Sequence, residues 1–266
     1  RNSGHSLWRS WFLASGVQFV MAIEGLDTGD TAWVMTSSAL VLLMTPGLAF
    51  FYGGLVSSTN VLNTMMMSIT SMGITSLIWM VVGFSIAFGK GPTAFIGDFR
   101  YVGLRGLESQ LWPGTTIPAL LFMVFQLTFA IIGVAIISGS VVGRIRFSAY
   151  AIFSAFWLPL VYAPVCHWVW GPGGWIDELG AKDFAGGTVV HECTAVSALV
   201  LALCVGKRQE AAAEGQQAHN VPFVVLGAAI LWFGWSGFNG GSALAADEVA
   251  ALALVNTYMS AGAALV

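Results

Sequence analysis

One histidine and one glutamate stand where ionisable groups are most expensive. His191 and Glu192 lie in an apolar stretch that opens at Asp183 and runs to Val205, just before Lys207 and Arg208. As a helix, a stretch of that length spans the ~30 Å hydrocarbon core of a bilayer. Both groups then fall where a charge is hardest to keep, unless they face a packed interior or a water-filled cavity. His191 is therefore a candidate functional residue, able to accept or pass a hydrogen bond or a proton. The alternative is a histidine hydrogen-bonded to a neighbouring helix.

Asp183 precedes His191 by eight residues, which on a straight helix is about 12 Å along the axis and about 80° around it. The two cannot touch. Two roles are open for Asp183: capping the helix and complementing its N-terminal dipole, or supplying negative potential that draws in a cation. Glu192 is turned about 100° from His191 and is expected to face another helix in its protonated form.

Three enzyme chemistries fail on spacing. His191-Glu192-Cys193-Thr194-Ala195 begins like the H-E-x-x-H of zinc proteases, whose second histidine must return one turn later to share the metal; Ala195 holds that position. Gly234-Trp235-Ser236-Gly237 looks like the G-x-S-G of intramembrane serine proteases, which need a base within reach of the hydroxyl. No histidine follows His219, and no lysine stands in residues 249–266 to carry a retinal Schiff base. No catalytic residue, metal site or cofactor is expected.

A small cation suits the remaining residues better. Trp168 and Trp170 can present ring faces to one, a contact worth about 0.5–2 kcal/mol depending on desolvation, although Trp is also the ordinary anchor at a membrane–water boundary. The run from Trp235 to Ser242 holds Gly237, Gly240 and Gly241. Such small residues either let backbones approach closely or expose carbonyls to a cavity.

Composition sets the elements that must position these groups. Of 266 residues, 57% are hydrophobic and only 9% charged, with a mean hydropathy of +0.80, whereas soluble domains carry about 25% charged residues. An all-α, polytopic membrane helix bundle embedded in lipid follows. With so little polar surface the net charge of -3 says nothing about nucleic acid, and no basic run or aromatic–basic interleaving points to such a partner; none is expected. Cys166, Cys193 and Cys204 have no zinc-type spacing and read as small core residues.

Seven spans are expected. Thr31 to Gly89 contains no Asp, Glu, Lys, Arg or His, enough for two helices broken between Phe51 and Asn60, the first bent at Pro46-Gly47. The third runs from about Thr116 to Val142 and is closed by Arg144 and Arg146. The fourth runs from Phe147 to about Val165, before an aromatic cluster ending at Trp170 and a glycine-rich turn at 171–174. The fifth is the Asp183 stretch; the sixth runs from Pro222 to about Ala246, and the seventh starts near Glu248 and is still apolar at Val266. Residues 1–26 resemble a signal sequence or an interfacial helix, leaving 27–266 as the membrane domain. Arg144, Arg146, Lys207 and Arg208 are assigned to the cytoplasm, which puts the Trp170 end outside.

Four stretches, in order, resemble one family: Pro46-Gly47-Leu48-Ala49-Phe50-Phe51-Tyr52-Gly53-Gly54-Leu55, Arg144-Ile145-Arg146-Phe147-Ser148, Asp183-Phe184-Ala185-Gly186-Gly187-Thr188-Val189-Val190-His191, and Gly237-Phe238-Asn239 with Ser242. From Asp30 to Val266 the chain is similar to the ammonium transporters of the Amt/Mep/Rh superfamily. The resemblance implies an Amt-type inverted-repeat fold of about eleven spans, its second half incomplete in this chain, assembled as a homotrimer in the plasma membrane, or the inner membrane of a bacterium, with one pore per subunit. It implies an outer recruitment site for ammonium or methylammonium at Trp170, Ser242 and Phe129. A gate of Phe129 and Phe238 would lie below it, with His191 as the first of two pore histidines and Asp183 near the outer vestibule. A cytosolic regulatory protein is among the partners such a chain can have. Two departures stand out: the chain shows no second pore histidine, and Glu192 follows the first where a small or apolar residue is expected. The chain reads best as a partial copy. An ammonium sensor coupled to a signalling module would share every one of these motifs, and a structural subunit of a larger membrane assembly is a third reading.

Overall fold

The computed structural model describes residues 23–91, 93–207 and 218–266. Seven helices among them are long and apolar enough to cross a membrane, and no β-strand occurs among the described residues. They are α1 (Thr28–Leu55), α2 (Ser58–Phe88), α3 (Ala119–Val141), α4 (residues 147–170), α5 (Gly187–Val205), α6 (Val221–Ala243) and α7 (Glu248–Leu265). The expected segment at 1–26 lies, for residues 1–22, outside the described residues, as do Arg208 and most of the polar linker before α6.

The longest interface joins α1 to α6, because glycines on both helices remove the side chains that would hold them apart. A Cβ on Gly47 would stand 2.8 Å from Ile230, and one on Gly54 would stand 2.6 Å from the Asn220 carbonyl oxygen. From the other side, a Cβ on Gly237 would stand 2.7 Å from the Ser37 carbonyl oxygen. The glycines of the sixth span thus serve close backbone approach, the usual way for helices to attract one another in lipid. The Trp33 indole N–H donates across the same interface to the Gly240 carbonyl at 3.1 Å. The first span passes through Pro46 as one continuous helix.

Helix α3 is the hub. Most of its residues are buried, and it packs against α1, α2 and α5. One face of α2 offers it a row of buried hydroxyls, Thr64, Ser68, Ser71 and Thr75, spaced three or four residues apart as one helical face requires. At its other end Tyr52 of α1 donates to the Ile136 carbonyl at 3.1 Å.

Helices α2, α4 and α5 each contain a π turn, at Trp79–Gly83, Leu158–Tyr162 and Gly187–Glu192, a wider turn often found at functional sites. In α4 this turn contains Pro159 and ends before Pro164, two interior prolines that each remove a backbone donor, and its wider hydrogen-bonding pattern lets the helix continue past them. The fourth span therefore does not stop near Val165; it continues to Trp170 and holds that indole on a rigid helix end. At the opposite end, Arg144 donates to the Gly206 carbonyl at 2.6 Å, tying the α3–α4 turn to the end of α5.

Candidate functional site: a vestibule and the row of rings beneath it

Asp183 does not begin a straight helix. It lies before α5, and its carboxylate accepts from four consecutive backbone N–H groups: Oδ1 from Gly186 at 2.6 Å and Gly187 at 2.8 Å, Oδ2 from Thr188 at 2.8 Å and Val189 at 3.0 Å. These are the N–H groups that a helix start leaves without partners, and four of them fill about all the lone-pair sites of an ionised carboxylate. Of the two roles open from sequence, capping is the one the geometry displays. The straight-helix spacing of Asp183 and His191 is replaced by a wider turn, in which the Val190 and His191 N–H groups both donate to the Gly186 carbonyl at 2.9 Å. Gly186 permits this with φ +95°, a left-handed conformation that side chains with a Cβ resist.

The same loop fixes Trp170. Its indole N–H donates to the Asp183 main-chain carbonyl at 2.8 Å, leaving the ring faces free of that bond. The ring meets Phe129 edge to face, with centroids 6.0 Å apart at 86°. Phe129 meets Phe238 at 4.3 Å and 40°, and Phe238 meets the His191 imidazole at 5.7 Å and 36°. Four rings from α4, α3, α6 and α5 therefore form one continuous row, with the two phenylalanines buried in its middle.

A cavity of about 460 Å³ opens above this row and is lined by Trp170, Phe129, Ser242, Asp183, Lys182 and Gln126, among others. Ser242 donates its own proton to the Phe238 carbonyl at 2.7 Å, so its oxygen is left as an acceptor. Of the residues that the resemblance assigned to the site, Trp170, Phe129, Ser242 and Asp183 line this cavity, and Phe238 and His191 continue the row below it. Lys182 brings a positive charge to the rim that sequence reading did not place there.

Trp168 separates from Trp170. Its indole donates to the Phe95 carbonyl at 2.7 Å and its ring packs on Trp175, so it anchors a loop and does not line the vestibule. Glu192, expected against another helix, is exposed, as is His191 beside it; the turn that brings His191 beside Phe238 leaves Glu192 without a covering helix among the described residues. Cys166 and Cys193 are buried, but Cys204, also expected in the core, is exposed. The Ser236 hydroxyl is within 2.6 Å of the Tyr258 hydroxyl and joins α6 to α7. Among the described residues no cluster of His, Cys, Asp and Glu can hold a metal ion.

Two residues escaped the sequence reading. Gln126 is the one carboxamide in the apolar run of α3, and that isolation was the available signal. His167 is fully buried, its Nδ1 paired with the Ala87 carbonyl at 2.9 Å; adjacent to the tryptophans, it was read as part of an aromatic cluster.

Residues 32–266 match the model of the Ammonium Transporter Family. The chain belongs to that family. It is 49% identical over 243 residues to the ammonium transporter of Bacillus subtilis (strain 168), an alignment covering 90% of this chain and 59% of that relative. Its fold matches the crystal structure of Candida albicans Mep2 with a TM-score of 0.82 and 33% identity, covering 90% of this chain and 53% of the other. It also matches a structure described as a sensor Amt protein, with a TM-score of 0.81 and 33% identity over 88% of this chain and 59% of that one. The chain thus spans a little over half the length of the relatives it matches. The family and the seven spans together make it a multi-pass membrane protein.

Proposed function

We propose that the protein carries ammonium across the plasma membrane, recruiting the ion at the Trp170 end and passing ammonia along a pore wall that includes His191. The observation that supports this best is the unbroken row Trp170, Phe129, Phe238 and His191 beneath a cavity edged by the Ser242 oxygen. Ring faces attract a small cation, and the Ser242 oxygen accepts one of its N–H bonds. Past this point the two phenylalanines offer no polar partner. A bare ammonium ion would meet a large desolvation cost there, whereas neutral ammonia would not. One N–H bond breaks at the mouth, its proton goes to vestibule water, and ammonia passes the rings to the imidazole, which can hydrogen-bond it. In this reading residues 27–266 form the transporter domain, the assembly is a homotrimer with one pore per subunit, and the Lys207 end faces the cytoplasm and any regulatory partner.

The test uses the full-length protein in liposomes, with internal pH or labelled methylammonium as the readout. Ammonium-dependent flux above empty liposomes is expected, reduced at least tenfold in His191→Ala and Trp170→Leu. Wild-type flux equal to that of empty liposomes would sink the proposal. The likeness to a sensor Amt protein favours one second reading, an ammonium-binding membrane domain that reports to a signalling module. Saturable ammonium binding without flux would select it.

A further inference from the structure

Gln126 sits on α3 one turn before Phe129 and one turn after Phe122, on a wall otherwise built of aromatic rings. It is 7% exposed, its Oε1 is buried with no hydrogen-bond partner among the described residues, and its side chain lines the vestibule. A buried carboxamide without a partner costs free energy comparable to a lost hydrogen bond. Nothing in the packing of α3 asks for it, since a leucine or methionine would fill the same space with no unpaired oxygen. A carboxamide without a partner beside a cavity is open to one that enters through it.

The chemistry of the cavity says what kind. A carboxamide can both donate and accept, but the lining is rich in aromatic rings, Phe122, Phe129 and Trp170 among them, it carries Asp177 and Asp183 against the single cation Lys182, and the Ser242 oxygen is an acceptor with its proton already committed to Phe238. A donor-rich cation complements such a wall better than an anion does. An ammonium ion has four N–H bonds, and Ser242 alone leaves three of them facing rings. We propose that Gln126 is a second hydrogen-bonding residue for the cation in the vestibule, its carboxamide oxygen accepting an N–H while Ser242 accepts another. The oxygen and nitrogen of an amide exchange places by a half-turn about one bond, so the oxygen reaches the cavity when a donor arrives there.

This rests on the transport reading above and gives Gln126 a binding role before the rings, not a role in passage. An interaction made in the bound state and not in the slow step raises KM and leaves kcat alone. In full-length protein in liposomes, Gln126→Leu and the volume-matched Gln126→Met should each raise the KM for ammonium by roughly threefold to tenfold, the change one hydrogen bond carries, with kcat unchanged. Gln126→Glu, which keeps an acceptor oxygen, should restore wild-type KM or better. A purely structural role predicts less folded protein and a fall in kcat in both apolar variants, without recovery in Gln126→Glu. Unchanged KM in either folded apolar variant, or KM and kcat changing together, overturns the inference while wild-type flux keeps the transport reading. Absent wild-type flux overturns both.

Discussion

The Trp170 indole N–H donates to the Asp183 main-chain carbonyl at 2.8 Å, while the Asp183 carboxylate holds the first turn of α5. One residue thus sets both the helix that carries His191 and the ring that edges the vestibule. Its charge is spent on backbone N–H groups, so its influence on a cation is exerted through shape as well as through potential.

Replacing Asp183 should therefore damage structure and flux together. Asp183→Asn keeps one oxygen and turns an amide N–H toward the remaining N–H donors. A loss of about 1.5–3 kcal/mol, the range for hydrogen bonds to a charged group, is expected in thermal unfolding of detergent-solubilised protein. Trp170 fluorescence should shift in the same variant. A variant that unfolds like the wild type would remove the cap from its central place.

Gly186 offers a separate handle on the same turn. Its φ of +95° and a Cβ position 2.8 Å from Val190 make Gly186→Ala strained by about 1–2 kcal/mol, before any clash is counted. The expected result is a lower unfolding temperature and faster amide exchange at Val190 and His191, whose N–H groups share the Gly186 carbonyl.

Ser242→Ala removes an acceptor but no cap, since the Ser242 hydroxyl bonds only the Phe238 carbonyl one turn back. Stability should hold within about 0.5 kcal/mol. The KM for ammonium should rise about threefold to tenfold, measured as uptake into liposomes.

At the same end of the bundle, Asp30 ties three segments together. Its Oδ1 accepts from the Ala246 N–H at 2.8 Å and its Oδ2 from the Thr116 hydroxyl. Asp30→Ala should free the α6–α7 turn, seen as faster hydrogen exchange at Ala246, and cost about 1–3 kcal/mol. Flux should fall less than in Asp183→Asn, because Asp30 does not line the vestibule.

Much of this was legible beforehand. Runs of apolar residues located all seven helices, because crossing a bilayer demands a length and a composition that any window of sequence displays. Boundaries slipped where proline and capping intervened: α4 continues past Pro164 to Trp170, and α5 begins at Gly187 with Asp183 outside it. A π turn can absorb a proline or a cap, and nothing in a hydropathy profile announces one.

The sequence by itself determined a polytopic all-α membrane protein and excluded the zinc-protease motif by the residue at Ala195, and its resemblance to one family marked His191, Asp183, Trp170, Phe129, Phe238 and Ser242 as a group. Only the tertiary structure decided that Asp183 caps, that the α6 glycines meet α1, that Trp168 faces a loop while Trp170 faces the cavity, and that the Gln126 Oε1 has no hydrogen-bond partner among the described residues. The physical reason is that burial in lipid is a property of a stretch, summed residue by residue. Partnership depends on which faces of separate helices meet, and that is settled by packing between residues far apart in the chain.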